Sequence, residues 1–344
     1  MKMKKLLLLL CLLRSATMMA QIDSTQMRIV FYNVENLFDP ENDSLTNDDD
    51  FTPEGMNRWS YGKYQKKICN ISKVLLSIGQ GEPPGIIGLA EIENEKVLKS
   101  FCYYSPLKNY GYRYVHYDSP DARGIEVALL YRTQQVTVHH REQIPICFPF
   151  EPDSKNRDVL YVVAKLANGD SIHLFINHWT SRYGGYGATV AKRNYYASVI
   201  KRRTDSLLQL NPYAYIMVMG DFNDYPDDES IALVLKAETF TRENQDSVKL
   251  FNLMGHFTQM SNVGTNKRED FWGCLDQIMV STAFLTKGGS LHVKEEKAHI
   301  FKADFMFIPD EKYGGEKLFR TFSGPKYVGG FADHLPVFVT ISLF

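Results

Sequence analysis

Cysteine is scarce in this chain. Five occur in 344 residues, at positions 11, 69, 102, 147 and 274. Their spacings match no zinc-binding pattern, so a zinc ribbon or a disulfide-built scaffold is excluded, and one disulfide bridge or none is expected. An excess of one charge is also missing. Lys and Arg number 39 against 40 Asp and Glu, a formal net charge of −1. No global field therefore draws in polyanions, and any recognition of phosphate must be local. The apolar run from Leu6 to Leu13 is too short to span a bilayer. Internal repeats, low-complexity linkers and a second core are absent. What is present is an ordinary packed composition, 44% apolar and 13% aromatic, with one domain as the economical reading.

The first twenty residues stand apart. Lys2, Lys4 and Lys5 precede the Leu-rich run, and small residues follow up to Ala20. This is the layout of a secretory signal peptide cleaved after Ala20, leaving residues 21–344 as a secreted or periplasmic chain. A bulky Leu10 before Cys11 argues against a lipoprotein signal. Removing the four positive charges of that segment takes the formal net charge from −1 to −5.

Apolar runs then alternate with helical patterns. Strands are expected at 27–34, 86–92, 112–117, 125–131, 213–218 and 274–281, with a last one running to Phe344. Residues 158–166 and 171–177 read as a hairpin across an Asn-Gly turn. Residues 61–78 read as a helix, because Ile68, Ile71, Leu75 and Ile78 recur at helical spacing; Cys69 is expected on its buried face. A longer helix is expected over 189–210, its Lys192, Arg193, Lys201, Arg202 and Arg203 forming a solvated face. Residues 144–156 carry three prolines and must be irregular. Six acidic residues crowd into positions 39–50. Their spacing does not follow the EF-hand order, so a solvated loop is preferred to a calcium site. Residues 283–330 are rich in loops.

The chemistry-bearing residues fall at the ends of these strands. Met219-Gly-Asp-Phe-Asn-Asp224 follows an apolar strand and places Asp221 and Asn223 in an oxygen-rich corner. Its bland reading is an Asx turn before a helix. Glu91 lies inside the run IIGLAEI, where a carboxylate is expensive to bury unless paired or metal-bound. Asn33 ends the first strand, His178 ends the hairpin, Asp276 is embedded in CLDQIMVS, and Asp333 and His334 precede the last strand. Such an inventory lacks the Cys and clustered His of a zinc site. Its oxygens suit Mg²⁺, Mn²⁺ or Ca²⁺, and two His beside Asp residues suit proton handling near neutral pH. Arg132 and Arg182 are possible phosphate clamps by charge and place, and Glu126 is a conceivable partner for His178.

These segments together resemble the endonuclease/exonuclease/phosphatase, or DNase I-like, family. The matching pieces are FYNV with Asn33, LAEIE with Glu91, INHWTSR with His178, GDFN with Asp221 and Asn223, LDQIMVS with Asp276, and DHLPV with Asp333 and His334. They run in order from Met27 to the C-terminus and look most similar to a secreted bacterial branch. The resemblance implies an α/β four-layer sandwich, two mixed β-sheets packed face to face with helices outside. It implies that Glu91 binds a divalent ion, Mg²⁺ first, with Asn33 and Asp333 beside it. It further implies that His334 is the general base, oriented by Asp276, and that Asp221 positions the attacking water or takes its proton. Asn223 and His178 would hold the phosphoryl oxygens. The implied activity is phosphodiester hydrolysis by a monomer, with nucleic acid as the substrate. A lipid or inositol-phosphate substrate is the alternative, for which the aromatic stretch Phe301 to Ile308 is a candidate membrane contact. A silent binding module is a third reading.

Overall fold

The computed structural model describes residues 25–79, 81–241, 243–244 and 247–344. The expected signal peptide lies outside the described residues. Two seven-stranded sheets pack face to face. The first contains β1 (Gln26–Leu37), β2 (Ile86–Ile92), β3 (Tyr112–His116) and β4 (Glu126–Arg132), together with Val337–Leu343, Leu291–Val293 and His299–Ile300. The second contains β5 (Val136–Ile144), β6 (Val159–Leu166), β7 (Ser171–His178) and β8 (Tyr215–Asp221), with Asp276–Ser281, Leu250–Asn252 and Glu238–Thr239. Each sheet has a parallel pair at its centre, β1 with β2 and β7 with β8, flanked by antiparallel neighbours. Both sheets are thus mixed.

Three apolar layers follow from the alternation of side chains along the strands. Between the sheets, Ile29, Phe31 and Leu129 meet Leu160, Leu174, Ile176 and Met219. Outside the first sheet, Val30, Tyr32 and Leu89 pack on the helix Tyr61–Ile78. Outside the second, Phe175, Ile216 and Val218 pack on the helix Tyr186–Leu210. This is the four-layer α/β sandwich.

Several local expectations need correction. Cys69 is exposed, one position round the helix from the buried Ile68, and all four described cysteines are free thiols. Arg193 is not on a solvated face. It is fully buried and its Nε lies 2.7 Å from Asp224 Oδ1. β5 has no counterpart in the sequence reading, because its polar stretch Thr137 to Gln143 hides a strand at the sheet edge. The 39–50 segment is only partly solvated. Asp39 and Asp48 are buried acceptors for the N–H groups of Glu41 and Asp43. Within 264–330, three short hairpins form. The aromatic stretch is not a free membrane contact, since Met306 is buried and Phe301, Phe305 and Phe307 pack against the first-sheet core. Among the described residues, no helix is long and apolar enough to cross a membrane.

Candidate active site

Five strand ends converge at one edge of the sandwich. In the second sheet the convergence is a matter of register. His178 pairs with Asp221 across β7 and β8, and Asp221 pairs with Asp276 on the next strand. Three functional side chains therefore lie in one row. In the first sheet the same end is irregular. The β1–β2 pairing shifts after Asn33, and the β2–β4 pairing shifts between Ala90 and Ile92. Glu91 sits in that bulge with φ 64°, and Glu35 and Asn36 also have positive φ. A bulge re-aims the side chain it carries, and non-glycine residues in this region are strained. Here it turns Glu91 into the cleft.

Asn33 joins the two halves. Its Nδ2 donates to Asp221 Oδ2 at 3.0 Å and to Glu91 Oε1 at 3.3 Å, while its Oδ1 accepts the Glu35 N–H at 3.0 Å. Asn33 therefore orients the two carboxylates, and its Oδ1, with one lone pair on the Glu35 N–H, keeps a second. Glu91 Oε2 accepts the Asn36 N–H at 2.7 Å. His334 Nδ1 lies 2.7 Å from Asp276 Oδ2, which leaves Nε2 3.8 Å from Asp221 Oδ2. His178 Nε2 lies 3.7 Å from the same oxygen and 3.8 Å from Glu91 Oε1. Asn223, at φ 51°, donates its main-chain N–H to Asp221 Oδ1 at 3.0 Å and its side-chain amide to Trp179 O at 3.1 Å. Glu91, His178, Asp221, Asn223 and His334 line one cleft of about 460 Å³.

Burial and mutual repulsion shape the charges. Burial pushes the Asp221 carboxyl up to about 6; His334 opposes this and Asp276 adds to it. Burial works against charge on His334, yet Asp276 and Asp221 outweigh it and hold the imidazole well above the ordinary histidine value. His178 is pushed well below that value by burial, with Arg157, Arg123 and His334 adding to the effect, so it is neutral. Burial would raise Glu91, but Arg123, the Asn36 N–H and His334 together bring it below the usual carboxylate range. Asp333 is raised to about 6 by burial and Glu35, against His334 and Arg320.

The donors fit a hard divalent cation. Glu91 is a largely buried, ionised carboxylate, and the one basic side chain within 4 Å of it among the described residues is the uncharged His178 at 3.8 Å. Asp333 reaches Arg320 through Oδ2 at 2.9 Å, and its other oxygen has no hydrogen-bond partner among the described residues. Asp221, Asp276 and His334 also offer ligand atoms within 4.8 Å of one another. The 2.7 Å contact already commits His334 Nδ1 to Asp276, so that trio is better suited to moving a proton than to holding an ion.

Three sequence candidates lie elsewhere. Arg132 is at the opposite end of the first sheet, because β4 runs antiparallel to β2 and brings Tyr131 beside Ile86. It pairs there with Glu82. Arg182 is engaged by Asn223 O at 2.6 Å, Asp224 Oδ1 at 2.8 Å and Asp228, and braces the loop instead of facing substrate. Glu126 accepts the N–H and hydroxyl of Ser119 at 3.0 and 2.8 Å and does not touch His178. In their place the cleft presents Arg123, Lys155, Arg157 and Tyr183. Only the Arg-Gly step at 123–124, a loop cation before a strand, could have marked Arg123 in advance.

The comparisons agree with this architecture. The profile of the Endonuclease/Exonuclease/phosphatase family matches residues 28–343. The chain belongs to that family, whose members are hydrolases of phosphoester bonds. A mannosyl-6-phosphatase of Bacteroides thetaiotaomicron superposes with a TM-score of 0.56 at 17% identity, covering 92% of this chain and 100% of that one. Humanized D. rerio TDP2 gives 0.55 at 13%, over 92% and 99% of the two chains. The human Nocturnin catalytic domain with bound sulfate gives 0.54 at 14%, over 93% and 95%. Identities this low speak for the fold alone. No curated protein matches the chain by sequence.

Proposed function

We propose that this protein is an exported, divalent-metal-dependent phosphodiester hydrolase acting on nucleic acid, with residues 1–20 as the export signal. The observation that carries the reading is the line Asp276–His334–Asp221, with contacts of 2.7 and 3.8 Å, placed beside the oxygen ligands of Glu91. Glu91 and Asp333 would hold the ion, Mg²⁺ first and Mn²⁺ or Ca²⁺ by the same donor chemistry, with Asn33 aligning Glu91. Bound there, such an ion supplies charge neutralisation at a phosphoryl oxygen and at the leaving oxygen.

The chain's own residues do the rest. Asp276 holds the His334 tautomer whose Nε2 faces the cleft. That nitrogen takes the proton of the attacking water, which Asp221 orients. Neutral His178 and the remaining amide N–H of Asn223 donate to the phosphoryl oxygens as their charge grows. Supercoiled plasmid nicking tests the reading. Cleavage is expected to require Mg²⁺, to stop with chelator and to collapse in His334→Ala. No nicking by a protein that still hydrolyses a model diester would move the substrate away from DNA.

A second reading is favoured by the cleft itself. Its 460 Å³ and its lining by Lys155, Lys192 and Tyr183 would also suit a small phosphorylated molecule, as the mannosyl-6-phosphatase similarity suggests. Hydrolysis of phosphomonoesters with no action on plasmid would select it.

A further inference from the structure

We propose that Arg123 is the guanidinium that holds the scissile phosphoryl group, and that the loop from Ser119 to Gly124 is built to present it. This rests on the phosphoester reading above and adds a substrate-binding residue to it. Arg123 lines the cleft with Glu91, His178, Asp221 and His334. Because Glu91 comes from the first sheet and His178 and Asp221 from the second, that shared lining puts Arg123 at both halves of the site. Its own nearest carboxylate, Asp121, stands 3.9 Å from Nε, and the side chain is 48% exposed. Among the described residues its fork of N–H donors meets no hydrogen-bond acceptor and is open to a ligand. A planar fork beside a metal-binding carboxylate matches a phosphoryl group that shares its oxygens between a cation and an arginine.

The loop behind it is held from several sides. The Arg123 N–H donates to Asp121 Oδ1 at 2.9 Å, and Gly124 closes the turn onto Asp121 O at 3.1 Å. Gly124 has φ 68° and a Cβ there would meet Thr46 at 2.7 Å, so no larger residue fits without movement. Asp121 Oδ2 takes Arg157 Nη1 at 2.8 Å. Buried Arg157 in turn donates to the main-chain oxygens of His178 and Trp179 at 3.0 and 2.9 Å. Glu126 fixes Ser119, and Asn47 N–H reaches Ala122 O at 2.8 Å. Asp121 is thus a hub that ties the Arg123 loop to the strand end carrying His178. A donor held in advance costs little reorganisation when charge develops. Asp121 and Arg157 are positioning residues in this scheme, and Arg123 is the one that touches substrate.

Two measurements on the full chain test it: Mg²⁺-dependent hydrolysis of bis(p-nitrophenyl) phosphate, and calorimetric binding of inorganic phosphate with Mg²⁺ present. Arg123→Ala is expected to weaken phosphate about 10- to 100-fold, the worth of one charge-assisted contact, and to lower kcat/KM at least as much. Arg123→Lys should recover only part, since the fork is lost. Asp121→Asn should weaken phosphate in the wild-type background and have no further effect in Arg123→Ala, which a merely structural role would not produce. Phosphate affinity and kcat/KM of Arg123→Ala both within twofold of wild type would overturn the proposal. An inactive wild type that binds phosphate through Arg123 would keep the inference and sink the hydrolase reading. A wild type that neither turns over nor binds phosphate would remove both.

Discussion

The two sheets reach the same cleft by different means. The second sheet delivers His178, Asp221 and Asp276 by plain register, one from each of three neighbouring strands. The first sheet delivers Glu91 through a bulge, with three positive-φ residues, Glu35, Asn36 and Glu91, around it. The register row supplies Asp221 and Asp276, which flank His334 from the loop before the last strand of the first sheet, and the strained half supplies the Glu91 carboxylate; in the proposed scheme the first group handles protons and the second holds the ion. The difference teaches where precision is set locally. A row of strand ends is robust because ladder hydrogen bonds hold it. A bulged carboxylate needs its neighbours, here the Asn33 amide and the Asn36 N–H, to keep one orientation.

The proton-handling half should break most sharply. His334→Ala is expected to lower kcat by on the order of 10²–10⁴, with metal affinity little changed; steady-state kinetics and a Mg²⁺ titration check both parts. The strained half should break in the other parameter. Glu91→Gln is expected to weaken Mg²⁺ by about 10- to 100-fold, read as a higher activating concentration and a smaller Mg²⁺-induced rise in Tm. Equal losses of metal affinity in both variants would erase the distinction between the halves.

Acidity sharpens the comparison further. A base must be neutral to act, and Asp276 and Asp221 outweigh burial to hold His334 above its ordinary value. The acid limb of the rate profile is therefore expected above pH 6.5, and Asp276→Asn should move it down while lowering the plateau. A limb that stays in place would separate it from His334.

Stability effects come next. Arg193→Met leaves buried Asp224 beneath the Asp221 loop with its nearest cation gone. The loss should be about 3–5 kcal/mol in urea unfolding, with activity falling alongside because the same aspartate also anchors Arg182. A pH-dependent effect is expected at Glu126, whose carboxyl is pushed up to about 8, chiefly by burial. A carboxyl raised on folding contributes stability that is present below its unfolded value and lost as pH rises through its folded one. Wild type should therefore lose stability between pH 5 and 9 that Glu126→Gln retains, in parallel melts across that range.

Legibility followed the same divide. The helix Tyr61–Ile78 and the strand Ile86–Ile92 stand where periodicity puts them, because apolar spacing reports directly on which face is buried. The members of the register row were each visible as polar residues at apolar strand ends. The arginines were not readable in this way. Arg132, Arg182 and Arg193 look alike as charged residues near strand ends or on a helix, yet one sits at the far end of the sheet and two brace the GDFND loop. Their partners, Glu82, Asp224 and Asp228, are 31 to 50 positions away in sequence. β5 was hidden because an edge strand with polar residues on its outer side lacks an apolar signature.

The sequence by itself determined the alternation of strands and helices, the family, and the set of oxygen and imidazole groups available for chemistry. Those depend on local pattern and residue type. Tertiary structure alone decided which cations face the cleft, that Asn33 links two carboxylates, and that the Glu91 bulge opens toward His178. These depend on strand direction, register and contacts between distant segments, and no neighbourhood in the chain contains that information.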